Sequence, residues 1–138
     1  MNMLLLDTHV WIWVAEGIPE KMPAAAMQHI DDAARRGGLY VSVISVWEIG
    51  MLAAKGRIRL SKPVRRWVKE ALEAPGLRLL PLEPDIALDC NDLPGDFHPD
   101  PADRILVASA RYLDVPLITH DRRVISYGQA GHVAVYAI

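Results

Sequence analysis

Cysteine is nearly absent: the 138-residue chain carries one, Cys90. A single thiol excludes an intrachain disulfide framework and a cysteine-based zinc ribbon. Cys90 itself reads as a small, partly buried thiol. Long apolar runs are also missing. The first one, Met3 to Leu6, stops at Asp7 and is too short for the core of a signal peptide. No stretch approaches the roughly 18 apolar residues of a membrane span. The expectation is a soluble cytoplasmic protein with no membrane partner. Excess charge of either sign is lacking, since 15 Lys and Arg stand against 17 Asp and Glu, a net charge of -2. That balance excludes nucleic-acid binding by bulk charge alone, though not by a local basic patch. No repeat, low-complexity stretch or linker divides the chain. What is present is apolar: hydrophobic residues make up 51%, which excludes intrinsic disorder. The length suits one domain, residues 1–138, and a chain of that size buries roughly 65–70% of its unfolded surface.

The elements alternate. Met3–Leu6 reads as a buried strand and Val10–Glu16 as a short helix apolar all round. Pro23–Arg36 reads as a helix with Pro23 in its first turn and Gly37-Gly38 as its stop. Leu39–Val43 is a strand, and Ile44–Lys55 a helix closed by Gly56. Ser61 is expected to cap the next helix, which runs to about residue 74 with Pro63 in its first turn. Leu77–Leu80 is a strand, Pro84–Cys90 a short helix, and Leu93-Pro94-Gly95 a turn. Pro101–Leu113 is a helix, Pro116–Thr119 a strand, Arg122–Tyr127 a helical turn and Val133–Ala137 a strand. This alternation argues an α/β fold: a five-stranded parallel sheet with helices on both faces. The apolar strands suit burial on both sides. In such folds ligands bind beyond the carboxyl ends of the strands, at a topological switch point.

Acids fall where sites form. Asp7 directly follows the first strand and Asp121 closely follows the fourth. Each taken alone suits a turn or a helix cap equally well. On the helical wheel from Ile44, Glu48 falls at about 40°, inside an arc holding Ile44, Trp47, Met51 and Leu52. A charge on an apolar face needs a partner or a cation, and Lys55 at about 20° is the candidate partner. Asp100, Pro101 and Asp103 suit the N-cap, N1 and N3 positions of a helix. The same helix start can aim Asp103 at the strand-end crevice. Carboxylates packed together repel and are driven neutral. A hard divalent cation removes that conflict, and oxygen-only ligation points to Mg²⁺ or Mn²⁺. Such an ion acidifies water and neutralises charge developing on phosphorus.

Four segments then resemble one family in order and spacing. They are Leu-Leu-Asp-Thr-His-Val-Trp (5–11), Val-Ser-Val-Ile-Ser-Val-Trp-Glu-Ile (41–49) with Lys-Gly-Arg-Ile-Arg-Leu (55–60), His-Pro-Asp-Pro-Ala-Asp-Arg-Ile-Leu-Val-Ala (98–108) and Pro-Leu-Ile-Thr-His-Asp (116–121). The chain resembles PIN-domain ribonucleases and, within them, the VapC-type toxins of toxin–antitoxin pairs. The resemblance implies a metal-dependent endoribonuclease that leaves a 5′-phosphate and a 3′-hydroxyl. It implies a homodimer held inactive by a cognate VapB-like antitoxin. It implies that Asp7, Glu48 and Asp103 hold the metal, that Asp121 is the fourth acid, and that Asp100 is a neighbouring acid or cap. Thr8 and Thr119 are candidates to hydrogen-bond the site. No Ser/His/Asp series or Cys/His pair stands out as a covalent nucleophile.

Residues 55–69 hold seven basic side chains and no acid, whereas residues 83–103 hold seven acids and no Lys or Arg. A basic helical face is commonly only a solvated surface. The clean asymmetry makes Lys55, Arg57, Arg59 and Arg65 candidates for RNA phosphate. Arg104 is a candidate for holding either phosphate or the Asp103 carboxylate, and Arg122 and Arg123 pose the same choice beside Asp121. The four tryptophans read as core or interface, with Trp11 and Trp13 suited to a dimer mate or an antitoxin helix. His9, His98 and His120 lie beside candidate acids, but carboxylates outnumber them, which argues against zinc. Two other classes of function compete. One is a protein that binds RNA or a partner without cutting. The other is a phosphohydrolase of small phosphate esters. An aspartyl-phosphate enzyme would want a second acid two residues after Asp7, where His9 stands.

Overall fold

The structure, a computed structural model, describes residues 3–138. Its strands are β1 (Leu4–Leu6), β2 (Leu39–Ser42), β3 (Leu77–Leu80), β4 (Leu117–Thr119) and β5 (Val135–Ala137). Its helices are α1 (Thr8–Glu16), α2 (Ala24–Arg35), α3 (Val43–Ala54), α4 (Val64–Leu72), α5 (Pro84–Asp89), α6 (Pro101–Leu113) and α7 (Arg122–Gln129). The strands form one parallel sheet in the order β3-β2-β1-β4-β5. The order reverses between β1 and β4, so the crevice of an open α/β sheet lies at their carboxyl ends.

Alternation along the strands splits the core in two. In β1, Leu4 and Leu6 face one cluster with Trp11, Ile30, Ile49 and Trp67. Leu5 faces the other, with Ile86, Leu106, Val107 and Val124. Helices thus cover both faces, and β1 and β4 are buried throughout. The edge strands differ from the sequence expectation. In β3, Arg78 and Leu79 are exposed, and β5 is only partly covered. An edge strand has a neighbour on one side only, so its flanks stay open to solvent. The turn into β3 is tight. Gly76 has φ +80°, and a Cβ there would sit 1.8 Å from the Ala34 carbonyl oxygen, so only glycine fits.

Several local expectations change. The first helix begins at Thr8 rather than Val10, because the Asp7 carboxylate accepts the Thr8 N–H and starts it early. A short 3-10 turn at Pro19–Lys21 precedes α2. Ser61 does not cap α4. Pro63 holds the N-cap position without a side-chain bond, and Ser61 donates through its N–H and hydroxyl to Glu16, both at 2.8 Å. Ser61 therefore clasps α4 to the end of α1. The buried face of α3 is Ser45, Ile49 and Leu52, and Trp47 is 59% exposed. The wheel misled because α3 is apolar nearly all round and has no polar face to fix its orientation. No described helix is long and apolar enough to cross a membrane.

Candidate functional site

Four segments deliver acids to the strand ends. Asp7 sits at the junction of β1 and α1. Its carboxylate accepts the Thr8 N–H at 2.7 Å and the Thr119 hydroxyl. Asp121 caps α7 by accepting the N–H groups of Arg123 and Val124, and its own N–H donates to the Thr119 hydroxyl at 3.0 Å. Thr119 is fully buried at the end of β4, so one hydroxyl ties both acids to the β1–β4 switch point. Asp100 caps α6 through the Ala102 N–H at 3.1 Å, and Asp103 stands in the first turn of the same helix. Glu48 reaches in from α3, half-buried beside the apolar face rather than on it. Among the described residues it forms no ion pair within 4 Å with Lys55 or any other base. Thr8 is buried, and its hydroxyl shares a hydrogen bond with Ser45 at 2.8 Å.

The electrostatics follow from that crowding. Burial pushes the Asp103 carboxyl up to about 7, and the Asp100, Asp7, Asp121 and Glu48 carboxylates add to the rise. Burial raises Glu48 as well, with Asp7 and Asp100 adding repulsion while Thr8 and His9 offset part of it. Asp7 is likewise raised, chiefly by burial, although the Thr119 and Thr8 hydrogen bonds oppose the shift. Five acids therefore feel one another. Few cations answer them. The Arg123 guanidinium, on a side chain 62% exposed, stands 3.9 Å from Asp103 Oδ2 and 3.7 Å from Asp121 Oδ2. His98 Nε2 lies 3.1 Å from Asp103 Oδ2 yet makes no aligned hydrogen bond. Burial lowers the His98 pKa, and Arg123 lowers it further, so His98 offers Asp103 little charge.

The donor set is all oxygen, and Asp103, with its carboxyl pushed up to about 7, is held partly protonated near neutrality. A hard cation suits both facts. Among the described residues, however, no three acidic, histidine or cysteine side chains already converge as an ion cage. The carboxylates are gathered but not closed.

The basic candidates lie elsewhere. Lys55 is the C-cap of α3, seven residues beyond Glu48 and so about 10 Å further along the axis. Arg57, Arg59 and Arg65 are exposed and have no acid within 4 Å among the described residues. Lys62 and Arg66 instead pair with Glu70, both at 2.7 Å. Arg104 is otherwise engaged, which corrects the sequence expectation. Its Nε donates to the Cys90 carbonyl and its Nη1 to the Phe97 and His98 carbonyls. It fixes the loop that carries His98 and Asp100, rather than phosphate or the Asp103 carboxylate. The sequence reading also passed over Ser45, which anchors Thr8. A serine inside an apolar helical face was the available signal.

Comparison with known proteins agrees with this fold. Residues 4–129 match the PIN domain family model. The chain is 36% identical over 137 residues to Ribonuclease VapC22 of Mycobacterium tuberculosis, covering 99% of this chain and all of that one. Among solved structures it is similar to VapBC2 from Rickettsia felis bound to a DNA fragment from its promoter. The TM-score there is 0.69 at 11% identity, covering 98% of both chains. It is also similar to DNA-bound VapBC from Salmonella typhimurium, with a TM-score of 0.67 at 15% identity, covering 99% and 98%. At those identities the structural likeness speaks for the fold. The family match and the full-length relative speak for kinship, and the chain belongs to the PIN-domain family, alongside the VapC ribonucleases.

Proposed function

We propose that this chain is a divalent-cation-dependent endoribonuclease of the cytoplasm. It cuts RNA at the acidic crevice as a homodimer and is restrained by a VapB-like antitoxin. One observation carries the reading: at the switch point burial, with the Asp100, Asp7, Asp121 and Glu48 carboxylates adding to it, pushes the Asp103 carboxyl up to about 7. Such a group is unfavourable without a purpose, and a cation of the Mg²⁺ or Mn²⁺ kind gives it one. The full-length kinship with a VapC ribonuclease supports the substrate class, and the likeness to VapBC assemblies supports the partner.

When bound, the cation supplies a Lewis acid that acidifies water and neutralises charge on the phosphate. The chain's own residues do the rest. Asp7, Glu48, Asp103 and Asp121 would hold the ion, with Asp7 braced by Thr8 and Thr119. Asp103 would serve in its ionised form, its proton having gone to solvent. Asp121, more exposed than Asp103 at 27% against 11%, takes the proton of the attacking water. In-line attack forms a bond from the water oxygen to phosphorus and breaks the P–O3′ bond; the departing 3′ oxygen takes a proton from solvent, leaving a 5′-phosphate and a 3′-hydroxyl. The exposed Lys55, Arg57, Arg59 and Arg65 meet phosphates further along the strand.

Purified protein freed of antitoxin is expected to cut RNA in Mg²⁺ and to stop in EDTA. End mapping of the products should find 5′-phosphates. Undiminished cutting in EDTA, or turnover of a small phosphate ester but not RNA, would overturn the proposal. Arg123 makes a second expectation. It is the free-standing cation beside Asp103 and Asp121, so it competes with an arriving ion. Replacing Arg123 with Ala is expected to tighten Mn²⁺ binding about two- to fivefold, the range of an exposed pair. Calorimetric titration measures it, and weaker Mn²⁺ binding would show that Arg123 positions the acids instead.

A further inference from the structure

A group of rings stands beside the acids that the proposed chemistry leaves unused. His9 and Trp13 lie one turn apart on α1, with ring centroids 6.3 Å apart. His120, from the loop between β4 and α7, meets Trp13 edge-on at 5.7 Å. The Lys21 ammonium sits over the Trp13 ring, 5.8 Å from its centroid. His9 and His120 are exposed, and Trp13 is half-buried at the rim of the first core. Beyond Trp13 opens an apolar hollow of about 590 Å³ lined by Val14, Ile18, Pro19, Met22 and Met27.

The position of this ledge is what gives it meaning. His9 is two residues from Asp7, and His120 directly precedes Asp121. The two histidines therefore flank the switch point where the scissile phosphate would sit. A core tryptophan needs no such company, and two exposed rings, one edge-on to Trp13 and one tilted beside it, do not serve packing. Rings interleaved with a cation beside a phosphate-handling site are how proteins hold single strands, with bases stacked on rings and phosphates met by ammonium groups. A shallow apolar hollow behind the rings gives a flipped-out base somewhere dry to lie.

Resting on the ribonuclease reading, we propose that His9, Trp13 and His120 form a stacking ledge for one unpaired base of the RNA next to the cut. Lys21 meets the adjoining phosphate. The ledge is what makes the site select single-stranded RNA: a paired base cannot leave its stack to reach these rings without the cost of unpairing.

The test uses the Asp7→Asn chain in Mg²⁺, so that cutting does not interfere with binding. Short labelled RNAs are titrated by fluorescence anisotropy, each intact or with a single nucleotide made abasic in turn. His9→Ala and His120→Ala are each expected to weaken binding of intact RNA about tenfold. On the RNA that is abasic at the stacked position, the same changes should cost less than about twofold. Both residues are exposed, so the fold tolerates their loss. Trp13→Phe keeps a ring in the core and is expected to retain most of the binding that Trp13→Ala loses. Equal losses on intact and abasic RNA, or no loss at all, would overturn the ledge. So would variants that bind RNA normally and lose only an antitoxin, since the rings would then serve protein docking. If the unmodified chain neither binds nor cuts RNA, the ribonuclease reading fails and the ledge with it. If it cuts RNA while the ring variants are silent, the ledge alone fails.

Discussion

Asp7→Asn is expected to slow RNA cutting by roughly 10³-fold or more, while the protein remains folded. The two halves of this expectation have different causes. Asparagine keeps an oxygen where Asp7 accepts the Thr8 N–H that starts α1, and asparagine is as good a cap as aspartate. Its amide can donate to the Thr119 hydroxyl, which now accepts. One member is also removed from a crowd of like charges. Melting should therefore shift by only a few degrees, as for a change well under about 2 kcal/mol. The catalytic half rests on charge. A neutral amide holds a hard cation poorly, and Asp7 is bridged by Thr119 to Asp121. Single-turnover cutting rates beside melting curves separate the two effects. An Asp7→Asn chain that cuts at the unmodified rate would remove Asp7 from the site.

The second large effect falls on stability and runs the opposite way to activity. Asp103→Asn should abolish cutting and make the cation-free protein more resistant to heat at pH 8. The unfolded chain releases the Asp103 proton near the ordinary 3.8, whereas the folded chain keeps it to about 7. Between those values the folded state binds more protons, so stability falls as pH rises through that window. By pH 8 the loss is on the order of a few kcal/mol. The raised values of Asp7 and Glu48 add to it in the same direction. Asparagine carries no such charge. The variant should melt higher at pH 8, by about 5 °C or more, with the gap closing near pH 4. Mg²⁺ should raise the melting point of the unmodified chain and do far less for Asp103→Asn. Equal pH slopes in the two proteins would refute the argument.

The legibility of this chain followed its physics. Every strand was readable because buried parallel strands are short apolar runs between turn residues, and all five fall where the sequence reading put them, within two residues at their ends. The positions of Asp7 and Asp121 followed from the strand ends alone. Orientation was harder. Trp47 reads as core or interface and is exposed, because an apolar helix does not say which side meets the sheet. Ser61 reads as a cap and is a clasp, because Glu16, its partner 45 residues earlier, is invisible to local rules. Arg104 reads as a partner of phosphate or of the Asp103 carboxylate and is a strut, because carbonyls of an irregular loop leave no mark in sequence. Side-chain roles that depend on distant backbone are the ones that needed coordinates.

The sheet order also sets a timetable. On a growing chain β1, β2 and β3 appear in sequence and can pair side by side, bringing Asp7 and Glu48 forward early. The other edge of β1 belongs to β4, which begins only at Leu117. Until that strand slides in, Thr119 cannot grip Asp7, Asp121 has no place to stand, and β1 keeps an open flank. The acid group thus comes together late in synthesis, with only α7 and β5 still to follow. A chain cut short between α6 and β4 has three of the five strands and every site acid except Asp121, and the assembled crevice belongs only to nearly finished molecules.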